Sequence, residues 1–244
     1  MDRGLAEDAR AWIRAVTMWD PNAAVAGSAA ALLTIDPDIA VAAVDVFADT
    51  KLQDRGMIRF HRRKLPSELL LYQGDRRVAS PDLAALTAAL RGEFEPATTA
   101  LRKGAVTVDS LTSLANAWPL RDSREARTVA QRLSRNPWSV PEVEFHDLLR
   151  QAGISGWKGN HTVVIEGRLR HLDVAIEESR VGIEVNSFAH HSTRLAMERD
   201  YGRLNSLTRE GWRMYSVTPH QIRHLPDETI AFVQSIVGRR HRRR

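Results

Sequence analysis

With 244 residues and no cysteine, the chain can form neither disulfides nor thiolate metal sites, and 43% hydrophobic residues suffice for one large core or two small ones. Its longest apolar stretch, AAVAGSAAALLTI at 23–35, is too short to span a bilayer, and the N-terminus mixes both charge signs, so a soluble cytoplasmic protein without a membrane partner is expected. The net charge of +5 resides in the C-terminal GRRHRRR: its five arginines removed, residues 1–237 are formally neutral, leaving a tail (239–244) that either grips phosphate without specificity or only aids solubility.

Residues 5–19 predict a helix with Leu5, Trp12, Ile13 and Val16 on one face, and NAAVAGSAAALL (22–33) a second, Ala-rich helix. IAVAAVDVFA (39–48) and GMIRFHRR (56–63) read as strands, because β-branched residues and alternation dominate. The basic run RFHRRK at 59–64 reads as a solvated strand or turn. In SPDLAALTAALRG, Ser80 caps a helix, Pro81 opens its first turn and Gly92 closes it. Residues 1–96 are therefore expected to form a small α+β module, and 97–135 a helical linker with Ala126, Val129, Ala130 and Leu133 on one stripe. NPWSVP at 136–141, with two prolines, marks the boundary to a third segment, 136–238. That segment predicts a helix over SVPEVEFHDLLRQAG, strands at 162–166, 169–176 and 181–186, a helix at about 193–210, the strand WRMYSVT and a last helix at about 226–237.

Two acids stand inside the apolar runs of the central hairpin. If 169–176 and 181–186 pair across the turn EESR (177–180), Ile176 faces Val181, Asp173 faces Glu184 and His171 faces Asn186. Strict alternation then puts His171, Asp173, Glu184 and Asn186 on one face, and Leu172, Val174, Ile176, Val181, Ile183 and Val185 on the other. Opposed carboxylates roughly 4.5–5.5 Å apart repel each other. A divalent cation removes that penalty, and Mg²⁺ typically takes one or two carboxylates plus waters and phosphate oxygens. The alternative is a hairpin whose acids simply face water. Glu142 follows Ser139 by three residues, the spacing of a capping box, and a carboxylate at a helix N-terminus can also attend a cation site; Glu144 is the substitute if the helix is rotated. His190 and His191 follow the second strand, where an imidazole can deprotonate water near neutral pH.

The series SVPEVEFHDLLRQAG, HLDVAI, GIEVNSFAHH and ERDYGRLNSLTREGWRMYSVT resembles the very-short-patch-repair-like endonuclease domains of the PD-(D/E)xK nuclease superfamily. The resemblance covers roughly 136–222. It places Glu142 at the helix acid, Asp173 at the strand acid, Glu184 at the following acid and His190 at the histidine, with Arg199, Asp200, Arg203, Leu207, Gly211 and Trp212 on the helix and final-strand pattern. It implies an α/β restriction-endonuclease-like domain, a mixed β-sheet flanked by helices, acting on DNA with Mg²⁺ or Mn²⁺. In that reading Glu142, Asp173, Glu184 and His190 are catalytic, and Glu142, Asp173 and Glu184 hold the metal. Arg199 and Arg203 meet phosphate, and His171 and Asn186 are auxiliary. The chain departs from the pattern at Asn186, Ser187 and Ser216, where relatives carry Asp or Lys, Gly, and Arg. PNAAVAGSAAALL, GMIRFHRRKL and RRVASPDLAAL resemble AbiEi-type antitoxin modules, without the winged helix that often precedes these elements; this implies a toxin–antitoxin-like setting and a protein partner for the N-terminal module. Two functions follow: a Mg²⁺-dependent DNA endonuclease, or a catalytically degenerate DNA-binding or antitoxin-like regulator on the same scaffold.

Overall fold

Side-chain caps and left-handed glycines set many of the element boundaries in the computed structural model, which describes residues 8–50, 53–186 and 194–237. Among these are ten α-helices and two open mixed sheets, an α/β architecture in two units, the first ending at Ser134 and the second beginning at Arg135. No helix among the described residues is long and apolar enough to cross a membrane.

In the first unit, Asp8 accepts the Arg10 N–H and starts α1 (Ala9–Trp19), which buries Trp12, Ile13 and Val16 as its spacing predicts. There follow β1 (Ala24–Ala26), α2 (Gly27–Thr34), β2 (Val44–Ala48), β3 (Ile58–Arg62), β4 (Leu70–Gln73), β5 (Arg76–Ala79) and α3 (Pro81–Ala89). The sheet order is β3-β2-β1-β5-β4. The expected helix at 22–33 is therefore only half right. Ala24–Ala26 form the central strand, antiparallel to β2 and parallel to β5, and the helix starts only at Gly27, whose φ is +62°. Alanine favours helix by itself, but here small side chains flanked by two strands decide otherwise. Ser80 caps α3 by accepting the Leu83 N–H at 3.4 Å. The helices expected as a linker, α4 (Glu95–Lys103), α5 (Val108–Asn116) and α6 (Ser123–Leu133), belong to this unit and pack against α3. Ala126, Val129, Ala130 and Leu133 supply the buried stripe of α6.

The second unit comprises α7 (Val140–Gln151), β6 (Lys158–Ile165), β7 (Arg168–Ile176), β8 (Val181–Val185), α8 (Arg194–Arg209), β9 (Arg213–Val217), α9 (Pro219–His224) and α10 (Pro226–Val237). Its sheet runs β6-β7-β8-β9, antiparallel except for the parallel β8–β9 pair. The β7–β8 turn is a 3₁₀ segment, Glu177–Ser179, closed by Arg180 at φ +47°. Ile176 pairs with Val181, Ala175 with Gly182 and Val174 with Ile183, the register that the turn length predicts.

One expectation for this hairpin fails. Val174, Ile176, Val181 and Ile183 pack with Phe145 and Leu149 of α7 and Val233 and Ile236 of α10. Leu172, expected beside them, packs instead with Ala175, Leu207 of α8 and Trp212. The sheet thus has apolar cover on both sides rather than one apolar and one polar face. The reversal falls at Asp173. Its partner across β6–β7, Asn160, sits at φ +41°, a conformation that cannot continue a pleated strand, and the ladder has no Asn160–Asp173 rung although its neighbours on both sides keep register.

Gly159 precedes this irregularity. A Cβ there would run into the Arg135 carbonyl oxygen and lie 2.6 Å from His146 Cε1. Gly159→Ala is expected to lower stability by about 1–3 kcal/mol, as overpacking against backbone does, measured by denaturant unfolding; an unchanged midpoint would contradict this packing.

Candidate functional site

Three carboxylates come together where the β7 ladder is interrupted. Glu142 is in the first turn of α7 and 6% exposed. Ser139 Oγ accepts the Glu142 N–H at 3.3 Å, the capping half that the spacing predicts. The other half differs: the Glu142 carboxylate reaches past the cap backbone. Its Oε1 accepts from Ser139 Oγ at 2.8 Å, and its Oε2 accepts from the Trp138 N–H at 2.9 Å and from Asn160 Nδ2 at 2.5 Å. Glu144 is engaged elsewhere, 2.8 Å from Arg223 Nε, so the helix presents Glu142.

Asp173, on β7, does not complete a rung to Glu184. Its Oδ2 accepts the Val185 N–H at 2.8 Å, so a side chain stands in for a ladder bond. Glu184, on β8 and 6% exposed, pairs with Arg203 of α8 through Oε2 at 2.5 Å, while its Oε1 has no hydrogen-bond partner. Asn160 Oδ1, beside Glu142, is likewise unpartnered.

Burial and the neighbouring negative charge of Asp173 push the Glu142 and Glu184 carboxyls up to about 7, although Arg203 opposes the shift at Glu184. Burial also raises Asp173, against the pull of the Val185 N–H and of Arg203. Beneath them His146, fully buried one helical turn after Glu142, is lowered to about 3 by desolvation, so it stays neutral. Its Nε2 faces the Asp173 carbonyl at 3.5 Å and its ring lies against Trp157.

The other expected residues distribute differently. His171 does not join the acids: it contacts Thr162 Oγ1 at 3.0 Å and the Trp138 ring, because the strand turns over at Asp173. Asn186 donates to Ser216 Oγ at 3.0 Å, so two of the departures from the nuclease pattern are partners of each other. Arg203 is committed to Glu184. Arg199 stands on α8 with its side chain outside the described residues, as are Ser187, His190 and the basic tail. Asn160 and His146 were not anticipated. His146 had a signal, an i+4 spacing from Glu142 on the buried side of α7; Asn160 had none, since its role depends on a left-handed backbone.

Two buried oxygens without donors, on Glu184 and Asn160, and three carboxylates that disfavour one another's ionisation suit a hard, oxygen-loving ion such as Mg²⁺ or Mn²⁺. No trio of His, Asp or Glu among the described residues is arranged to close on one ion. Asp173 and Glu184 lie on adjacent strands, and Glu142 is held by its cap. No family model, no curated protein and no solved structure matches the chain.

Acids whose folded pKa is raised bind more protons folded than unfolded between about 4.5 and about 7, so they remove stability as pH rises through that window. His146 acts in the opposite sense, removing stability as pH falls from 6.5 towards about 3. In EDTA, Glu184→Gln is expected to flatten the loss of thermal stability between pH 5 and pH 8 relative to wild type, because one of the three raised carboxyls is gone. Parallel profiles for the two proteins would show that Glu184 titrates normally.

Proposed function

We infer that the second unit is a divalent-cation-dependent DNA endonuclease of the very-short-patch-repair-like type, with a restriction-endonuclease-like fold. The observation that carries this reading is the convergence of Glu142, Asp173 and Glu184, from a helix start and two adjacent strands, into one buried locality with raised carboxyl pKa values. Buried acids at this density are costly for the fold, and such clustering of perturbed groups marks functional sites. The mixed four-stranded sheet with helices on both sides, and the acids at its centre, support the fold assignment.

Asp173 and Glu184, with the Val185 carbonyl, would hold the cation, which when bound supplies a Lewis acid for the phosphodiester and lowers the pKa of water. The chain's own residues provide the rest. The Val185 N–H fixes the Asp173 carboxylate, so its rotamer is set by the sheet. The cap of α7 and Asn160 fix Glu142, which titrates near neutrality and can take up or release a proton at its carboxylate. Arg203 places a guanidinium beside Glu184, where the charge of a phosphodiester would need compensation.

A second reading, a non-cleaving DNA-binding or antitoxin-like regulator, is favoured by two contacts. Arg203 already neutralises Glu184, and Asn186 and Ser216 satisfy each other where the nuclease pattern carries other residues. In either reading DNA is the proposed partner of this unit, and a protein that of the first.

Thermal unfolding tests the cation site, and cleavage separates the two readings. At ten times its Kd, Mg²⁺ or Mn²⁺ is expected to add about 1.4 kcal/mol, or about 3–5 °C, to the wild type in place of EDTA, and nothing to Asp173→Ala. Asp173→Ala and Glu184→Ala are each expected to abolish metal-dependent cleavage while remaining folded. Wild-type cleavage by either variant overturns the assignment. Metal binding without cleavage of any DNA substrate selects the regulator.

A further inference from the structure

The first unit holds a second group of buried charge, unrelated to the acids of the second. Asp45, in the fully buried strand β2, is 2% exposed. Its Oδ1 lies 2.8 Å from His61 Nε2 and 2.6 Å from Arg91, at the C-terminal end of α3. Arg91 also comes within 2.8 Å of His61 Nε2, and the His61 ring stacks on Phe47 at 4.5 Å. Gly27 makes room for this carboxylate: a Cβ there would stand 2.6 Å from Asp45 Oδ2. A buried acid thus clamps one arginine and one imidazole in fixed positions.

Those two residues form part of the wall of a cleft of about 550 Å³, between β3, the end of α3 and the connection from α5 to α6. This volume is in the range of small-molecule sites. Arg62, Arg63 and Arg121 also line it, and none of the three has a carboxylate partner among the described residues. The one acid in the lining, Asp122, accepts the Trp118 Nε1–H at 2.9 Å. Thr87 lines the cleft, is 6% exposed, and its Oγ1 has no hydrogen-bond partner. A buried hydroxyl without a partner is costly to the fold. Guanidinium groups that line one cleft match the oxygens of a phosphate, which they bind in a bidentate manner. Trp118 and Leu120 add an apolar wall suited to a flat ring.

We propose that this cleft binds a nucleoside monophosphate, with Arg91, Arg63 and Arg121 on the phosphate and the apolar wall at Trp118 and Leu120 against the base. The same chemistry is offered by a free nucleotide and by the 5′-terminal nucleotide of a strand.

The test is calorimetric titration of the full-length protein in EDTA. The probes are adenosine 5′-monophosphate, adenosine, inorganic phosphate, and a short single-stranded oligonucleotide with and without a 5′-phosphate. Adenosine monophosphate is expected to bind at least ~10-fold more tightly than adenosine or phosphate, and Arg63→Gln and Arg121→Gln to weaken it by ~10-fold each. Both variants should leave the unfolding midpoint of the ligand-free protein unchanged, since neither side chain is buried, and that separates a binding loss from damage to the fold. A phosphorylated oligonucleotide that binds more tightly than both the mononucleotide and its unphosphorylated counterpart identifies a strand end as the occupant; a mononucleotide at least as tight identifies the free ligand. The proposal is overturned by equal affinity for adenosine monophosphate and either of its parts, by unchanged affinity in both variants, or by no heat with any probe up to about 10 mM, where even a ~1 mM site would be mostly filled.

Discussion

The hydrogen bond from the Val185 N–H to the Asp173 carboxylate takes the place of a rung in the sheet, and the arrangement of the second unit follows from it. A backbone donor in a buried strand must be satisfied, and here a side chain satisfies it. The strand is free to turn over at that point, which sends Leu172 to one apolar cluster and Val174 to the other. Because both sides of the sheet are then covered, the acids are enclosed between α7 and α8 contributions rather than left on a wet face. Their raised pKa values are the electrostatic consequence of that enclosure.

The two units solve the same problem with different means. In the first, buried Asp45 is neutralised by Arg91 with His61 beside it, and the surplus of positive charge faces a cleft. In the second, one guanidinium, that of Arg203, acts on Glu184 and Asp173, Glu142 stands without one, and the surplus is negative. A site short of cations suits an added metal ion. A site short of anions suits a phosphate. The two balances are of opposite sign, and residues 1–237 are formally neutral.

Much of this was legible in the chain. The turn EESR has one natural pairing, and its register is the one found, because hairpin register follows loop length. Ser80 and Ser139 announce the helices they cap, and the spacing from Ser139 to Glu142 puts that acid at a helix start whatever the tertiary fold does. The acids inside apolar runs, Asp173 and Glu184, are buried, and so is Asp45 within AVDVFA, which has no second acid opposite it.

What the sequence by itself determined was local: helix starts, the hairpin register, and the presence of carboxylates where packing alone would not put them. Such features depend on residues within a few positions of one another. The tertiary structure decided the rest. Ala24–Ala26 became a central strand because two neighbouring strands were available to pair with it, against the helix preference of alanine. Leu172 and His171 changed sides because Asn160, on another strand, took a left-handed φ. Arg203 found Glu184, and Arg91 found Asp45, across distances in sequence that no periodicity encodes. Burial, and with it every shifted pKa, belongs to that second category, since desolvation is a property of what surrounds a group in space.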